Sequence, residues 1–348
     1  MEIKLSNQIL RSVADDPRKS AEAANLIYVT DAQSGILRKR KGNHFVYYYG
    51  NREVTDPAVL KRIASLVIPP AWSGVWICPE KNGHLQVTGT DALSRKQYRY
   101  HPRWIALRGQ TKFYRLKAFG LALPGIRKQL KADLARKGLS LRKVLAMLVS
   151  IMEQTNIRIG NDFYERLYGS YGLATLQCRH VKLKGGHIRF LFTGKKGVRH
   201  DISIRNKKLA TIISRCKEIP GKHLFQYYDE NEQPRALHSG DINDYIREIS
   251  GSDFSSKDFR TWAGSTGFIR GVLDTADPGT PPTQKELVSL VDRVAESLGN
   301  TRSVCRKYYI HPRVIALFEN GTLRKKADRI KRATRWMSRE ERILLKIL

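Results

Sequence analysis

Four short segments of the chain carry side chains whose chemistry suits an anionic substrate. Arg158 lies in NIRIGND just after a predicted helix, Lys195 lies in the predicted hairpin turn FTGKKG, and Arg260 lies in SKDFRTW. The fourth segment, TRSVCRKYYIHPRV, contains the adjacent tyrosines Tyr308 and Tyr309. Arginine can hold two phosphate oxygens at once and stays charged at any working pH. These two arginines therefore suit the binding of a phosphodiester.

The lysine and the tyrosines would complete a phosphoryl-transfer reaction. A tyrosine can attack phosphorus as a nucleophile, and a lysine whose pKa is lowered by neighbouring arginines can protonate the departing sugar oxygen. Together the four segments supply what is needed to move a phosphodiester onto a protein hydroxyl without a metal ion.

Each residue also has an ordinary structural explanation. Arg158 at a helix end and Arg260 near Asp258 would suit salt bridges, and a lysine in a Gly-Lys-Lys-Gly turn would suit a solvated surface. Adjacent tyrosines often pack or stack, and nothing within the segment decides between Tyr308 and Tyr309. The prediction of catalysis depends on the four segments occurring together.

The elements that must position these residues change in character along the chain. Residues 1–100 contain short β-rich runs, with Asn82-Gly83 as a predicted hairpin turn, and helical periodicity begins near residue 112. Three further strands are predicted in ATLQCRHVKL, HIRFLFTG and VRHDISI. The pattern predicts an α+β protein, with an N-terminal mainly antiparallel β domain and a larger, mostly α catalytic domain that contains a small three-stranded sheet. We place the domains at residues 1–105 and 106–320, followed by a basic C-terminal helix or tail at 321–348.

The helix that precedes the tyrosine segment has clear end signals. TQKELVSLVDRVAESLG begins with a capping box, Thr283 with Glu286, and ends before Gly299. Asn300 therefore follows a helix end.

The composition indicates a polyanionic partner. The 348 residues contain 63 lysines and arginines against 32 acids, which gives a net charge of +31 and a pI near 10.2. The charge recurs along the chain, which indicates a basic groove for nucleic acid. Association with a ribosome or a membrane surface is the alternative that composition leaves open.

Other features narrow the class of protein. The four cysteines are far apart in the sequence, and CRH at 178–180 has no second ligand cluster, so we predict no metal site. The apolar runs are too short to cross a membrane, and the first twenty residues lack the pattern of a signal peptide. We therefore expect a cytoplasmic protein.

Several stretches resemble the type IB DNA topoisomerases of bacteria and poxviruses, over the chain to about residue 330. They are IPPAWSGVWICPEKNGHLQVTGTDALSRKQYRYHPRW, KFYRLKAFGLALPGIR, RIGND, FTGKKGVRH, SKDFRTWAGS and LGNTRSVCRKYYIHP. The resemblance implies two domains that clamp duplex DNA, a 3′-phosphotyrosyl bond, rotation of the nicked strand and resealing. It implies a monomer of the bacterial nucleoid that needs no metal, no ATP or other cofactor, and no obligatory protein partner.

The resemblance also implies roles for individual residues. Tyr309 would be the nucleophile, Arg158 and Arg260 would hold the non-bridging oxygens, and Lys195 would be the general acid. Asn300 occupies a position, nine residues before the nucleophile, that is often histidine in the family. Because an amide donates a hydrogen bond but carries no titratable proton, it suits oxyanion contact there rather than acid catalysis.

The resemblance further implies that the DNA-contacting side chains include Gln97, Tyr98, Tyr100 and Lys257.

Two other functions are compatible with parts of this pattern. Tyrosine recombinases share the Arg, Lys and Tyr chemistry, but they typically have histidine where this chain has Lys257, and usually a helical N-terminal half. A non-catalytic architectural protein would bind DNA through charge alone and would not need the four segments in this order.

Overall fold

The computed structural model describes residues 9, 12–13, 16–92, 96–111, 113–274 and 281–348. Most of the first fifteen residues, part of the segment for which we predicted no signal peptide, lie outside the described residues. Residues 93–95 and Lys112, which belong to the stretches that carry the resemblance, also lie outside them. The chain divides into two compact units, Met1–Arg115 and Leu116–Leu348.

The first unit is built on a six-stranded antiparallel sheet with the strand order β3-β2-β1-β4-β5-β6. The strands are β1 (Ile36–Lys41), β2 (His44–Tyr49), β3 (Arg52–Glu53), β4 (Ser73–Ile77), β5 (Leu85–Thr90) and β6 (Lys96–Tyr100). The helices within its described residues include α1 (Pro17–Ala23), α2 (Pro57–Ser65) and α3 (Pro102–Thr111). One core of this unit forms where Ile63 of α2 packs with buried strand residues, namely Ile36, Val75, Ile77 and Val87.

Helix α3 belongs to the first unit, although six of its ten residues lie beyond the boundary placed at residue 105. Its Trp104 and Leu107 are buried in a cluster with Ala21, Ala24 and Leu26. This apolar packing explains why the division falls between Arg115 and Leu116.

The second unit is mostly helical. Its helices are α4 (Arg115–Asp133), α5 (Leu141–Thr155), α6 (Asp162–Tyr168), α7 (Lys207–Lys217), α8 (Ser239–Ser250), α9 (Ser256–Asp274), α10 (Gln284–Leu298), α11 (Arg302–Tyr308), α12 (Pro312–Glu319), α13 (Thr322–Ala327) and α14 (Arg339–Ile347). Helix α5 is the most enclosed of them along its length, because Val144 to Met152 are all buried. The predicted capping box of α10, Thr283 with Glu286, is present.

A three-stranded antiparallel sheet interrupts the helices of this unit. It contains β7 (Val181–Lys184), β8 (His187–Thr193) and β9 (Arg199–Arg205), and a separate hairpin contains β10 (Gln226–Tyr228) and β11 (Pro234–Ala236). The alternation in β8 places Ile188, Phe190 and Phe192 in the core. The prediction of an α+β fold with a small three-stranded sheet is confirmed.

One predicted strand is wrong over half its length. The stretch ATLQCRHVKL forms two 3₁₀ turns, Leu173–Thr175 and Cys178–His180, before β7 begins at Val181. In the second turn the ring of His180 accepts a hydrogen bond from the backbone of Gln177, and this local bond favours a turn over an extended strand.

The C-terminal segment is packed into the second unit. Ile343, Leu344 and Ile347 of α14 are buried. Glu341 accepts hydrogen bonds from Arg127 Nη2 at 2.6 Å and from Trp262 Nε1 at 2.9 Å. This helix is therefore fixed to α4 and α9 by apolar contacts and by a buried ion pair.

Among the described residues, no helix has the length and apolar character needed to span a bilayer.

Candidate active site

Arg158 is positioned by the end of α5 and by a close crossing of two backbone segments. Asn156 ends the helix in the left-handed conformation, with φ of 57°. The loop then passes so close to Gly172 that a Cβ there would lie 2.6 Å from the carbonyl oxygen of Arg158. The absence of a side chain at Gly172 therefore allows the two backbone segments to pack this closely.

Arg260 lies in the interior on α9 and is only 5% exposed. Its guanidinium donates Nη1 to the carbonyl of Asn156 and Nη2 to the carbonyl of Leu298 at 2.6 Å. These two bonds join the ends of α5 and α10 to the arginine. Burial, together with the nearby charge of Arg158, lowers the pKa of Arg260 to about 10.

Asn300 follows α10, which ends at Gly299 in the left-handed conformation as predicted. Its side-chain oxygen accepts a hydrogen bond from Arg158 Nη2 at 2.5 Å, and the same nitrogen donates to the carbonyl of Gly299. Within the part of the chain that the structure describes, two buried donors have no hydrogen-bond partner, namely Asn300 Nδ2 and Arg260 Nε. Neither donor is used in a hydrogen bond among these residues.

Tyr309 lies beside these arginines, with its ring centroid 5.4 Å from Cζ of Arg260. Helix α9 also holds its backbone, because the hydroxyl of Ser265 donates to the carbonyl of Tyr309 at 3.3 Å. At Gly264 a Cβ would lie 2.5 Å from that carbonyl oxygen, so only glycine permits this approach. Tyr308, in contrast, is 44% exposed and faces the ammonium of Lys307.

Lys195 is in the tight turn that joins β8 to β9. Its side chain is exposed, and its ammonium lies 5.8 Å from the ring centroid of Tyr164. The following residue, Lys196, has φ of 63°, and its left-handed conformation gives the turn its shape.

A cavity of about 360 Å³ brings most of these residues together. Among the described residues that line it, four are basic and none is acidic; the basic ones are Arg158, Lys195, Lys257 and Arg260, and Tyr309 lines the same cavity. A larger cavity of about 440 Å³ is lined by other residues of α9, but there Arg127, Arg270 and Arg293 are balanced by Glu153, Asp274 and Glu341. The unbalanced positive charge makes the smaller cavity the better site for an anion.

The remaining predicted residues include three of the first unit. On β6, Tyr98 and Tyr100 share one face with ring centroids 6.0 Å apart, and both are more than one-third exposed. Gln97 donates to Asp91 at 2.7 Å. Lys257, in the second unit, is exposed one helical turn before Arg260 and lines the cavity described above.

His200 and the α9 residues that support Tyr309 were not singled out from the sequence. The ring of His200 on β9 stacks on Phe192 with centroids 4.8 Å apart. Burial lowers its pKa, and the charges of Arg158 and Arg260 lower it further. The stretches FTGKKGVRH and SKDFRTWAGS contain His200, Gly264 and Ser265, but only tertiary packing shows that they contact the site.

Both parts of the chain are similar to known proteins. Residues 101–337 match the family model described as eukaryotic DNA topoisomerase I, catalytic core, and residues 44–91 match bacterial DNA topoisomerase IB, N-terminal domain. The DNA topoisomerase 1B of Acanthamoeba polyphaga mimivirus is 34% identical over 297 residues, which cover 82% of this chain and 88% of the viral protein. The DNA topoisomerase I of monkeypox virus and the DNA topoisomerase 1B of vaccinia virus (strain Copenhagen) are each 20% identical over 237 residues, which cover 67% of this chain and 72% of theirs. The chain therefore belongs to the type IB DNA topoisomerase family.

Proposed function

We propose that this chain relaxes supercoiled duplex DNA by cutting one strand, letting it rotate and resealing it through a phosphotyrosine at Tyr309. The observation that carries the proposal is the convergence of two partly or fully buried arginines on one tyrosine, in a cavity whose described lining residues include no acidic side chain. Such a cavity suits a phosphodiester, which is an anion that gains further negative charge on its equatorial oxygens in the transition state.

The first transesterification uses side chains alone. The phenol of Tyr309 loses its proton to solvent as its oxygen forms a bond to the scissile phosphorus, and the bond to the 5′ oxygen of the next nucleotide breaks. Lys195 donates a proton to that leaving oxygen, so a 5′-hydroxyl and a 3′-phosphotyrosine result. The reverse reaction, in which the 5′-hydroxyl attacks the phosphotyrosine, restores the strand and frees the tyrosine.

The arginines and the asparagine stabilise the charge that develops on the non-bridging oxygens. Arg158 and Arg260 hold those oxygens, and the unpartnered Nδ2 of Asn300 and Nε of Arg260 add hydrogen bonds to them. Removal of a single oxyanion donor typically costs on the order of 3 kcal/mol of transition-state stabilisation. Because these groups supply the charge stabilisation, the reaction needs neither a metal Lewis acid nor ATP.

Binding of the duplex involves both units. The paired rings of Tyr98 and Tyr100, together with Gln97, would contact DNA from the first unit. Lys257 would contact a phosphate beside the scissile one. We expect a monomer that acts on the bacterial nucleoid without an obligatory protein partner.

A relaxation assay tests this function. Negatively supercoiled plasmid that carries no recombination site is incubated with the protein in EDTA and without ATP. We expect a ladder of relaxed topoisomers with wild type and none with Tyr309→Phe. Recombined or multimeric plasmid would indicate a recombinase, and an unchanged plasmid at saturating protein would contradict catalysis.

A further inference from the structure

A cluster of metal-ligating side chains lies on α6, outside the residues assigned to the reaction. Asp162 and Glu165 are on this helix, and His223 comes from the segment after α7. Their ligand atoms all lie within 4.8 Å of one another. Glu165 is almost fully buried, at 3% exposure of its side chain, and His223 is 15% exposed.

The shortest separations within this cluster are close to those between two ligands of one small metal ion. His223 Nε2 lies 3.0 Å from Glu165 Oε2 and 3.9 Å from Asp162 Oδ1. Two ligands bound at about 2.0 Å with a tetrahedral angle are about 3.3 Å apart. A second imidazole is close, because His238 Nδ1 lies 3.4 Å from Asp162 Oδ2, and its 66% exposed side chain has room to turn.

A cation now compensates part of this negative charge. The ammonium of Lys222 lies 3.0 Å from Glu165 Oε1, and Gln177 donates to the same oxygen at 3.1 Å. The Lys222 side chain is 59% exposed, so it can move into solvent when a metal ion takes over the charge.

We propose that Asp162, Glu165, His223 and His238 form a binding site for a divalent transition-metal ion of the zinc class. Two imidazoles and two carboxylates are ligands that Zn²⁺ accepts in tetrahedral geometry. A bound ion would fix α6 to the segments on either side of the β10–β11 hairpin. Two other residues of this helix region, Tyr164 and the N-cap Asn161, line the cavity that also contains Arg158 and Tyr309. The ion would thus stabilise one wall of that cavity without taking part in the reaction.

Metal binding by the untagged, chelator-treated full chain tests the proposal without DNA, so its result is independent of the proposed reaction. Co²⁺ serves as the spectroscopic probe and Zn²⁺ as the competitor, at pH 7.5 so that the ligands are deprotonated. We expect one Co²⁺ per chain with the intense visible absorption of tetrahedral coordination, displaced by Zn²⁺. Saturating Zn²⁺ should raise Tm by about 2–5 °C.

Variants identify the ligands. His223→Ala and Glu165→Gln should each weaken binding at least tenfold, whereas His187→Ala on β8 should leave it unchanged. Lys222→Met should tighten binding, because it removes the cation that competes for Glu165.

A simple salt-bridge network would give a different set of results. In that case no tetrahedral Co²⁺ signal would form, or the signal would survive His223→Ala, and Lys222→Met would lower Tm with and without metal alike. Any of these outcomes would overturn the proposal. If His223→Ala fails to fold, His238→Ala, which alters an exposed side chain, still has to weaken Co²⁺ binding.

Discussion

Arg260 carries its charge in the interior of the second unit, next to a second arginine. Burial and the charge of Arg158 lower its pKa to about 10, so it remains protonated at neutral pH. Two like charges held together in a region of low dielectric repel each other, and a bound phosphodiester would relieve that repulsion. Because the backbone carbonyls of Asn156 and Leu298 fix the guanidinium before substrate binds, little reorganisation is needed at the moment of reaction.

Lys195 differs from the arginines in being exposed, and its proposed role as general acid can be tested separately from DNA binding. Lys195→Ala should slow cleavage of an ordinary duplex by 10²-fold or more. The same variant should cleave a duplex with a 5′-bridging phosphorothiolate nearly as fast as wild type does, because the sulfur leaving group has a low pKa and hardly needs a proton. Single-turnover cleavage of both substrates provides the measurement, with Lys196→Ala as the neighbouring control. Equal slowing of the Lys195→Ala variant on both substrates would exclude it as the acid.

At the scale of elements, helix α9 carries Arg260, the proposed phosphate clamp, and also positions Tyr309, the proposed nucleophile. Arg260 lies on it, Gly264 lets the backbone of Tyr309 approach, and Ser265 donates to that backbone. The same Ser265 hydroxyl accepts a hydrogen bond from the backbone N–H of His311 at 3.0 Å. A displacement of α9 would therefore move the tyrosine and the arginine together.

Two glycines on this helix make a matched pair of variants. Gly264→Ala places a methyl group 2.5 Å from the carbonyl oxygen of Tyr309, whereas a methyl at Gly267 meets only Val294 at 3.7 Å. We expect Gly264→Ala to slow cleavage by about 10²-fold, since small misplacement of a reacting group is costly. Gly267→Ala should cleave normally and should be neutral or slightly more stable, because alanine favours a helix interior. Equal cleavage rates for the two variants would contradict the positioning role of Gly264.

Helix α14 packs against α9, and its Glu341 accepts a hydrogen bond from Trp262 of that helix. Its carboxylate binds Arg127 and Trp262, and its side chain is only 9% exposed. Glu341→Gln should lower the free energy of unfolding by about 2 kcal/mol at pH 7, as expected for loss of hydrogen bonds to a charged group. Glu340→Gln is the control, because its partner Arg270 is 61% exposed and such pairs contribute little.

The contribution of Glu341 to the free energy of unfolding should decrease as the pH is lowered. Burial would raise its pKa, but the hydrogen bond and charge of Arg127 outweigh burial and leave the pKa below the ordinary value. Its contribution is therefore present above the unfolded pKa, near about 4.3, and is lost as pH falls through the folded pKa. Denaturant unfolding at pH 7 and at pH 3.5 should show the difference between wild type and Glu341→Gln shrinking at the lower pH. A constant difference would contradict the charged state of Glu341.

The elements that the sequence predicted correctly are those fixed by local interactions. The capping box at Thr283 and the stop at Gly299 involve residues close in sequence, and the alternation in β8 follows from one buried face. The 3₁₀ turn at Cys178–His180 was missed because a side-chain bond competes with strand formation. The cluster of Asp162, Glu165 and His223 and the contacts of Glu341 join residues tens to hundreds of positions apart, so no local pattern could indicate them.

At the scale of the whole molecule, we expect the net positive charge to dominate the binding of DNA. A net charge of +31 means that phosphate contacts should dominate the affinity for duplex DNA. The logarithm of affinity should fall linearly with the logarithm of salt concentration, with a slope of about −0.9 for each neutralised phosphate. Binding of a linear duplex over a salt series measures this slope, and a nearly flat response would contradict a basic DNA-binding surface.

The covalent intermediate tests the central claim most directly. The duplex is labelled at the 5′ end of the scissile strand, the reaction is stopped with denaturant, and the trapped adduct is mapped by peptide analysis. We expect the label to remain on the protein, because the bond is to the 3′ phosphate, and the adduct to lie on Tyr309. Tyr309→Phe should bind DNA normally and form no adduct, whereas Tyr308→Phe should still form one. An adduct on Tyr308, or one joined to a 5′ phosphate, would contradict the account.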